Sequence, residues 1–564
     1  MSNRPSNFSS GRLTNDSSAN VQRDLRVAAV FLVVVPLACH LLFSWMGFSP
    51  TDDGFTLAYS RRIIDGQIPH RDFITIRPFL SPLMHVLFVL FGGAYTLWWS
   101  RLFVWIELAS IAWLWSAILQ RALVKRLKPG EQACAALITF MLCAHEYPIM
   151  AWHTVDGLLL ASLGLAFCAQ PGARLRIPGY VLLGMSYLCK QSFLFLAPAV
   201  LLILNDWRQV KYWAAALVPA LVYMAFLLAA GAFQDGLLQL TAQHDLWPVG
   251  IVSFLTGWTL PGLLLGGSYA LLSSPQWAPR FLRDSRAQAG LHALFFTSIV
   301  LLASLSLAAG MWMQLSFGAF GMAAAVVLPW FTPTRLTPIA RIWLLALVFA
   351  WSVSLSIGYN TPVLASGVLF ILLALHAAGY FHGGAVQPLH FALGIATIAL
   401  ALAFVFNRET HIFEEQPAFA LTHDLGTVLR GGSGIRTNAN TYAMLGDLRN
   451  AMDEVQRSGK RIVVLPGPAA YWITAEQANP LPIDWAQGIE LSQPALMSRV
   501  TDSLRLHADQ QVVILEKFDP AWLAYERVPI EDPGFYGIVA YVRAHSSMLS
   551  ETEFFELRQM QSAE

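Results

Sequence analysis

Between residues 27 and 406 the chain is a succession of apolar stretches, most of them close to the about 20 residues that span a hydrocarbon core. Nothing else in the sequence limits the fold so much, because a soluble domain has no place to bury such a series. Of the 564 residues, 56% are hydrophobic and only 13% are charged, against roughly a quarter charged in soluble domains. From residue 407 onward the composition returns to that of ordinary soluble sequence. The expected fold is therefore a polytopic α-helical membrane protein with about 13 transmembrane helices, followed by a C-terminal α/β domain over 407–564. The first 26 residues, polar and rich in Ser and Asn, read as a disordered tail. A net charge of +1 gives no bulk attraction to nucleic acid. The five cysteines lie in or beside apolar segments and frame no disulfide scaffold for the C-terminal domain.

Basic residues cluster in short loops, and they set an orientation. Arg23 and Arg26 precede a first span at 27–48, which places the N-terminus in the cytoplasm. The basic loop 121–131 (RALVKRLKPGE) belongs on the same side. That requires one crossing at 98–120 and makes 79–95 an interfacial helix within a long first outer loop, 49–97. Spans then alternate through basic loops near Arg174, Arg208, Arg283 and Arg341. The C-terminal domain emerges on the outer, periplasmic face of a cytoplasmic (inner) membrane.

The long outer loop carries the most unusual charges: TDDGFTLAYSRRIIDGQIPHRDFITIRPFLSP. Arg61, Arg62 and Arg71 suit bilayer-edge anchoring. Asp52 and Asp53 have two readings. One of them can cap the helix implied by GFTLAYSRRIIDG, which ends at Gly66. Alternatively, the adjacent acids raise each other's pKa until a cation or proton partner relieves them, which suits chemistry.

The order of these residues, through "LMHVLFVLFG" to "WWSRL", resembles the first periplasmic loop of GT-C fold glycosyltransferases. Most similar are the ArnT-like and protein-O-mannosyltransferase-like enzymes, which take a sugar from a lipid phosphate. In that family an acidic pair follows the first span, then an amphipathic helix, a basic residue before proline and a second interfacial helix. The family's usual Asp-Glu is Asp52-Asp53 here, and its usual Lys before proline is Arg77-Pro78. The resemblance covers the membrane half. It implies an inverting glycosyltransferase that uses a polyprenyl-phosphate sugar donor and a lipid, glycan or protein acceptor in the periplasm. Asp52 would be the base, with Asp53 as its companion, and Arg77 would bind donor phosphate with Arg61. A carboxylate can accept the acceptor hydroxyl's proton, and a guanidinium fork can hold the departing phosphate.

Other polar residues stand at membrane depth. His153 and Asp156 share a helix face in the stretch CAHEYPIMAWHTVDGLLL. They read either as a mutual structural pair or as a second acidic site such as the resemblance implies. Lys190 interrupts a short helical hairpin, where it either snorkels or meets donor phosphate. Tyr147, Tyr359 and Asn360 are candidates to line a cavity or cap helices, and Glu107 sits mid-span facing the protein interior. No tight metal-ligand motif occurs, so a divalent metal is left open and no cofactor is assigned.

In the C-terminal domain, Tyr442, Leu445, Leu448, Met452 and Val455 form the stripe of a helix stopped by Gly459. RIVVLPG, QQVVILEKF and YGIVAYVRAH read as buried strands. GGSGIRT (431–437) lacks the spacing of a nucleotide-binding loop, and Trp485 is placed to pack on the membrane half. Two further functions compete with glycosyl transfer: a transporter or flippase of lipid-linked sugars, for which repeated halves are expected but not found, and a membrane-anchored binding protein.

Overall fold

The computed structural model describes residues 16–561 apart from 125, 145–148, 171, 173, 244–245, 256, 275–276, 329–335, 355–360, 382–388 and 532–533. It is mostly helical. The membrane half comprises α1 (Asp16–Phe43), α2 (Phe55–Ile64), α3 (Leu80–Phe91), α4 (Thr96–Leu119), α5 (Pro129–Ala144), α6 (His153–Cys168), α7 (Arg176–Tyr187), α8 (Leu196–Ile203), α9 (Val210–Ala229), α10 (Phe233–Leu240), α11 (Leu246–Leu255), α12 (Thr259–Ser273), α13 (Ser285–Ala308), α14 (Trp312–Val327), α15 (Pro338–Ser354), α16 (Ser366–Ala377) and α17 (Leu389–Thr410). A helix occupies each of the expected spans. Among the described residues, five are long and apolar enough to cross a membrane alone, or six if α11 and α12 count as one bent span. The stretch 251–273, read from the sequence as one span, is thus two helices. Residues 16–26 also depart from expectation: α1 begins at Asp16 and includes them.

Exposure explains why this half lies in a membrane. Rows of bare apolar side chains run along several helices: Val30, Val34, Leu37 and Leu41 on α1, Leu217, Leu221 and Leu228 on α9, and Phe391, Ile398 and Leu402 on α17 are all exposed. A soluble monomer does not present contiguous apolar surface on that scale. Lipid removes the hydrophobic drive between helices, so close backbone approach takes over. At α12 and α14, a Cβ on Gly262 would meet the Gly318 carbonyl oxygen at 2.3 Å, and one on Gly321 would meet that of Thr259 at 2.2 Å. The helix α3 has 12 residues, about 18 Å of rise, which is too short to cross a bilayer.

The C-terminal domain contains a short ladder, β1 (His423–Asp424) with β2 (Arg436–Thr437), and a four-stranded sheet. That sheet is built from β3 (Arg461–Leu465), β4 (Gln511–Glu516), β5 (Ser546–Glu551) and β6 (Phe555–Met560), in the order β3-β4-β6-β5. The β3–β4 pair is parallel; the pairs with β6 are antiparallel. Helices α18 (Ala439–Arg457), α19 (Pro494–Leu506) and α20 (Gly537–Ala544) complete it. Asn438 caps α18 by accepting from the Thr441 N–H, and Gly459 follows its end at φ 73°. YGIVAYVRAH, expected as a strand, is α20: Ile538, Val539 and Val542 fall on one buried helical face. The final hairpin β5–β6 replaces it in the sheet.

The two halves are stitched together at the rim. The Arg436 N–H donates to the Trp45 carbonyl, and the Gly47 N–H donates to that of Arg436. The loop GGSGIRT contributes here too: Ser433 N–H donates to the Ala94 carbonyl and Leu97 N–H to that of Gly431. Glu415, fully buried, accepts from the Phe48 N–H and from Thr437 and Asn438 side chains. Arg62, expected as a bilayer anchor, is instead buried against the C-terminal domain. It donates to both oxygens of Asp484, at 2.5 and 2.8 Å.

Candidate functional site

The rim site begins with a glycine. Gly54, at φ 92°, is the N-cap of α2, and a Cβ there would stand 2.8 Å from Ala470. Neither neighbouring acid caps the helix through its side chain, so the capping reading of Asp52 and Asp53 does not hold. The pair divides its work. Asp53 is buried and pairs with Arg101 of α4 at 2.9 Å, while accepting from the Ser49 N–H. Asp52 is half-buried, and among the described residues no group donates to its carboxylate. Burial raises its pKa well above the ordinary carboxylate value, the Glu414 and Asp53 charges push the same way, and Arg77 pulls it down.

Glu414 comes from beyond the last membrane helix. It sits in the left-handed region at φ 52° and accepts from Ser49 and Thr51. A non-glycine residue there is strained, and such strain concentrates at functional sites. Glu414-Glu415 forms a second acidic pair beside Asp52-Asp53: Glu415 is locked by its hydrogen bonds, and the Glu414 charge acts on Asp52. Glu516, at the end of β4, is buried with both carboxylate oxygens unpartnered; burial, then Asp519, raises its pKa to about 8. A side chain at Gly467 would stand 3.8 Å from both Glu516 Oε1 and the Pro50 carbonyl oxygen, which places this acid against the same rim.

Arg77 provides the facing cation. Its Nη1 donates to Glu490 Oε1 at 2.5 Å, and its guanidinium lies 5.6 Å from the Trp485 ring and 5.9 Å from Phe55. Those two rings stack at 4.6 Å, so Trp485 does pack on the membrane half. Glu490, fully buried, keeps one carboxylate oxygen without a partner, and burial raises its pKa against the pull of Arg77. Among the described residues, Arg77 Nε and Nη2 make no hydrogen bond. Arg77 thus reaches Asp52 through space but is held by the C-terminal domain.

His153 and Lys190 lie within electrostatic reach of Arg77. His153 packs edge-on to Phe55 at 5.8 Å, and neither ring nitrogen has a partner. Lys190 Nζ donates to Thr154 at 3.2 Å. It also lines a mainly apolar cavity of about 360 Å³ between α7, α9 and α10, with Tyr187, Tyr223, Leu227, Phe233 and Trp247 among its walls. Gln191 ties this wall to the approach strand by donating to the Ile76 carbonyl, one residue before Arg77.

Several expected residues lie elsewhere. Arg61 pairs with Asp65 at 3.0 Å on the exposed side of α2 and is not brought to Asp52. Asp156 does not pair with His153. It is fully buried one turn further along α6, where it accepts from Ser81 and lies 3.1 Å from His85 Nε2. Tyr147, Tyr359 and Asn360 lie outside the described residues. Sequence reasoning missed Glu414, Glu490 and Glu516. Only Glu414-Glu415, an acidic pair just past the last apolar run, left a visible signal. Comparison with protein-family models, with curated proteins and with solved structures finds no match for this chain.

Proposed function

We propose that this chain is an inverting glycosyltransferase of the GT-C type, moving a sugar from a polyprenyl-phosphate donor to an acceptor hydroxyl. In this reading the C-terminal domain and the rim face the periplasm, the N-terminus is cytoplasmic, and the apolar stretches make about 13 crossings of the inner membrane. The observation that carries the reading is the position of Lys190. It joins an apolar cavity suited to a prenyl chain to the rim where Arg77 faces an unpaired, half-buried Asp52.

The chemistry follows from that layout. Asp52 takes the proton of the acceptor hydroxyl as its oxygen forms a bond to the anomeric carbon. The bond from that carbon to the phosphate oxygen breaks, and its electron pair leaves with the polyprenyl phosphate. Arg77 and Lys190 offset the charge that grows there. Attack opposite the leaving group inverts the centre. A carboxylate with a raised pKa is a stronger base near neutral pH than a free aspartate.

The test is transfer of radiolabelled sugar from a polyprenyl-phosphate donor in proteoliposomes holding the full chain. Donor-dependent transfer that vanishes in Asp52→Asn supports the reading, and transfer unchanged in that variant sinks it. One observation favours transport instead: the buried cluster around Asp156, since intramembrane acids often serve proton-coupled carriers. Donor movement across the bilayer without transfer would establish that alternative.

A further inference from the structure

Beneath the rim, three side chains from three helices converge in a sealed space. His85 of α3, Glu107 of α4 and Asp156 of α6 each offer a ligand atom, and these atoms all lie within 4.8 Å of one another. All three residues are 0% exposed. Among the described residues no donor serves either Glu107 oxygen, and His85 Nδ1 is also without a partner. Ser81 donates to the other Asp156 oxygen.

An arrangement of this kind is costly unless something sits inside it. Each buried carboxylate costs several kcal/mol when left uncompensated, on the order of 2.5–3.5 at a helix centre. The rim cations belong to Glu490, Asp53 and the Lys190–Thr154 contact, and among the described residues no arginine or lysine pairs with Glu107 or Asp156. With His85 neutral, one shared proton would leave a net negative charge in an apolar interior. A divalent cation neutralises both carboxylates at once and satisfies Glu107, the group left bare.

We infer that His85, Glu107 and Asp156 form a structural binding site for a divalent transition-metal ion of the zinc class. One imidazole with two carboxylates suits such an ion better than magnesium or calcium, which take more oxygen ligands. Zinc bonds of about 2.0–2.2 Å put neighbouring ligand atoms about 3.3 Å apart. The present spread therefore needs closure of roughly 1 Å or slightly more, within the reach of side-chain rotation. Ser81 would orient Asp156 from outside the coordination sphere. Because the site is sealed, the ion holds helices rather than touching substrate. It pins α3, which starts three residues after Arg77, to α6, which opens with His153.

The experiment measures metal content by inductively coupled plasma mass spectrometry on the full chain in nanodiscs, with the affinity tag removed. The wild type is expected to hold close to one zinc per chain. Glu107→Gln and His85→Asn are expected to lose at least tenfold of it. Should either variant fail to fold, the wild type decides: stripping with dipicolinate lowers its unfolding midpoint, and zinc chloride restores it where magnesium chloride does not. Two results overturn the inference. One is a wild type with under about 0.1 zinc per chain whose midpoint neither chelator nor zinc moves, which leaves a shared proton. The other is full zinc content in both variants, which puts the metal elsewhere.

Discussion

Two acidic centres, one at the rim and one buried against α6, solve the same electrostatic problem in opposite ways. At the rim, Asp52, Asp53 and Glu414 crowd together, but Arg101 neutralises one of them and Arg77 faces another. Asp52 remains half-buried, and among the described residues no group donates to its carboxylate. In the sealed centre, Glu107 and Asp156 are fully buried, and among the described residues neither pairs with an arginine or lysine. A carboxylate destined to exchange a proton needs an open side and a tuned pKa. One that is closed off on every side can only hold something in place. Under the proposed function, the difference separates a reacting acid from a supporting one, although both look alike in sequence.

The sharpest way to break this comparison is to neutralise one acid in the rim. Asp52→Asn is expected to lower kcat for sugar transfer by roughly 100- to 10,000-fold, the range for a positioned general base. Its unfolding midpoint should not fall, because no hydrogen bond is lost and the neutral amide relieves the burial and like-charge repulsion that raise the Asp52 pKa. A steady-state assay with a parallel melting curve reads both. A rate within about threefold of wild type would remove Asp52 from the chemistry and leave the rim as a mere interface.

Next comes the clamp that holds Arg77. Arg77→Gln leaves Glu490 buried and unpaired, which typically costs about 3–5 kcal/mol. Adding Glu490→Gln should recover most of that stability, because both charges then leave together. Transfer stays at least tenfold low in both, since the phosphate contact is gone. If the double variant regains activity, Arg77 serves only to dock the C-terminal domain.

How far the sequence foretold these two centres follows from chain distance. The helices of the membrane half were legible because each apolar run is continuous, and Asp52 and Arg77 stand within one loop of 26 residues whose order carries meaning. Glu490 meets Arg77 across 413 residues, and Glu415 meets Phe48 across 367. No local pattern encodes such pairings. In Glu107 the need for a partner was visible, but not that Asp156 and His85 would supply it. The swap at the end of the chain has a local cause. Gly537–Ala544 is rich in β-branched and aromatic residues, yet its buried positions fall at helical spacing. The true strand Ser546–Glu551 lies at the sheet edge, mostly exposed and without apolar alternation.

A pH profile sharpens the rim half of the comparison. Asp52 must be ionised to act as base, and its pKa is raised by burial, then by the Glu414 and Asp53 charges. Transfer should therefore rise with pH along a limb above the ordinary aspartate range. Glu414→Gln removes one of the charges that raise it, so the limb should move to lower pH while the plateau rate changes little. A limb that stays in place, or moves upward, would mean that Glu414 does not act on the titrating group.

The smallest effect concerns Glu516, which belongs to neither solution. It is buried like the sealed acids, but it lies against the rim, and its pKa stands at about 8 against 4.5 for an ordinary glutamate. The folded state therefore holds the Glu516 proton more firmly than the unfolded chain does. By linkage its contribution to stability is complete below about 4.5 and is lost as pH rises toward 8. Glu516→Gln carries no proton to lose. At pH 4, below both values, variant and wild type should unfold at about the same temperature. At pH 8 the variant should unfold at a higher temperature than the wild type. Melting curves at both values, with transfer rates alongside, tell two roles apart. A stabilised variant of wild-type activity makes Glu516 a tolerated strain in the docked interface. A stabilised variant with slowed transfer makes it a working member of the rim, kept despite its cost because the open centre needs that acid.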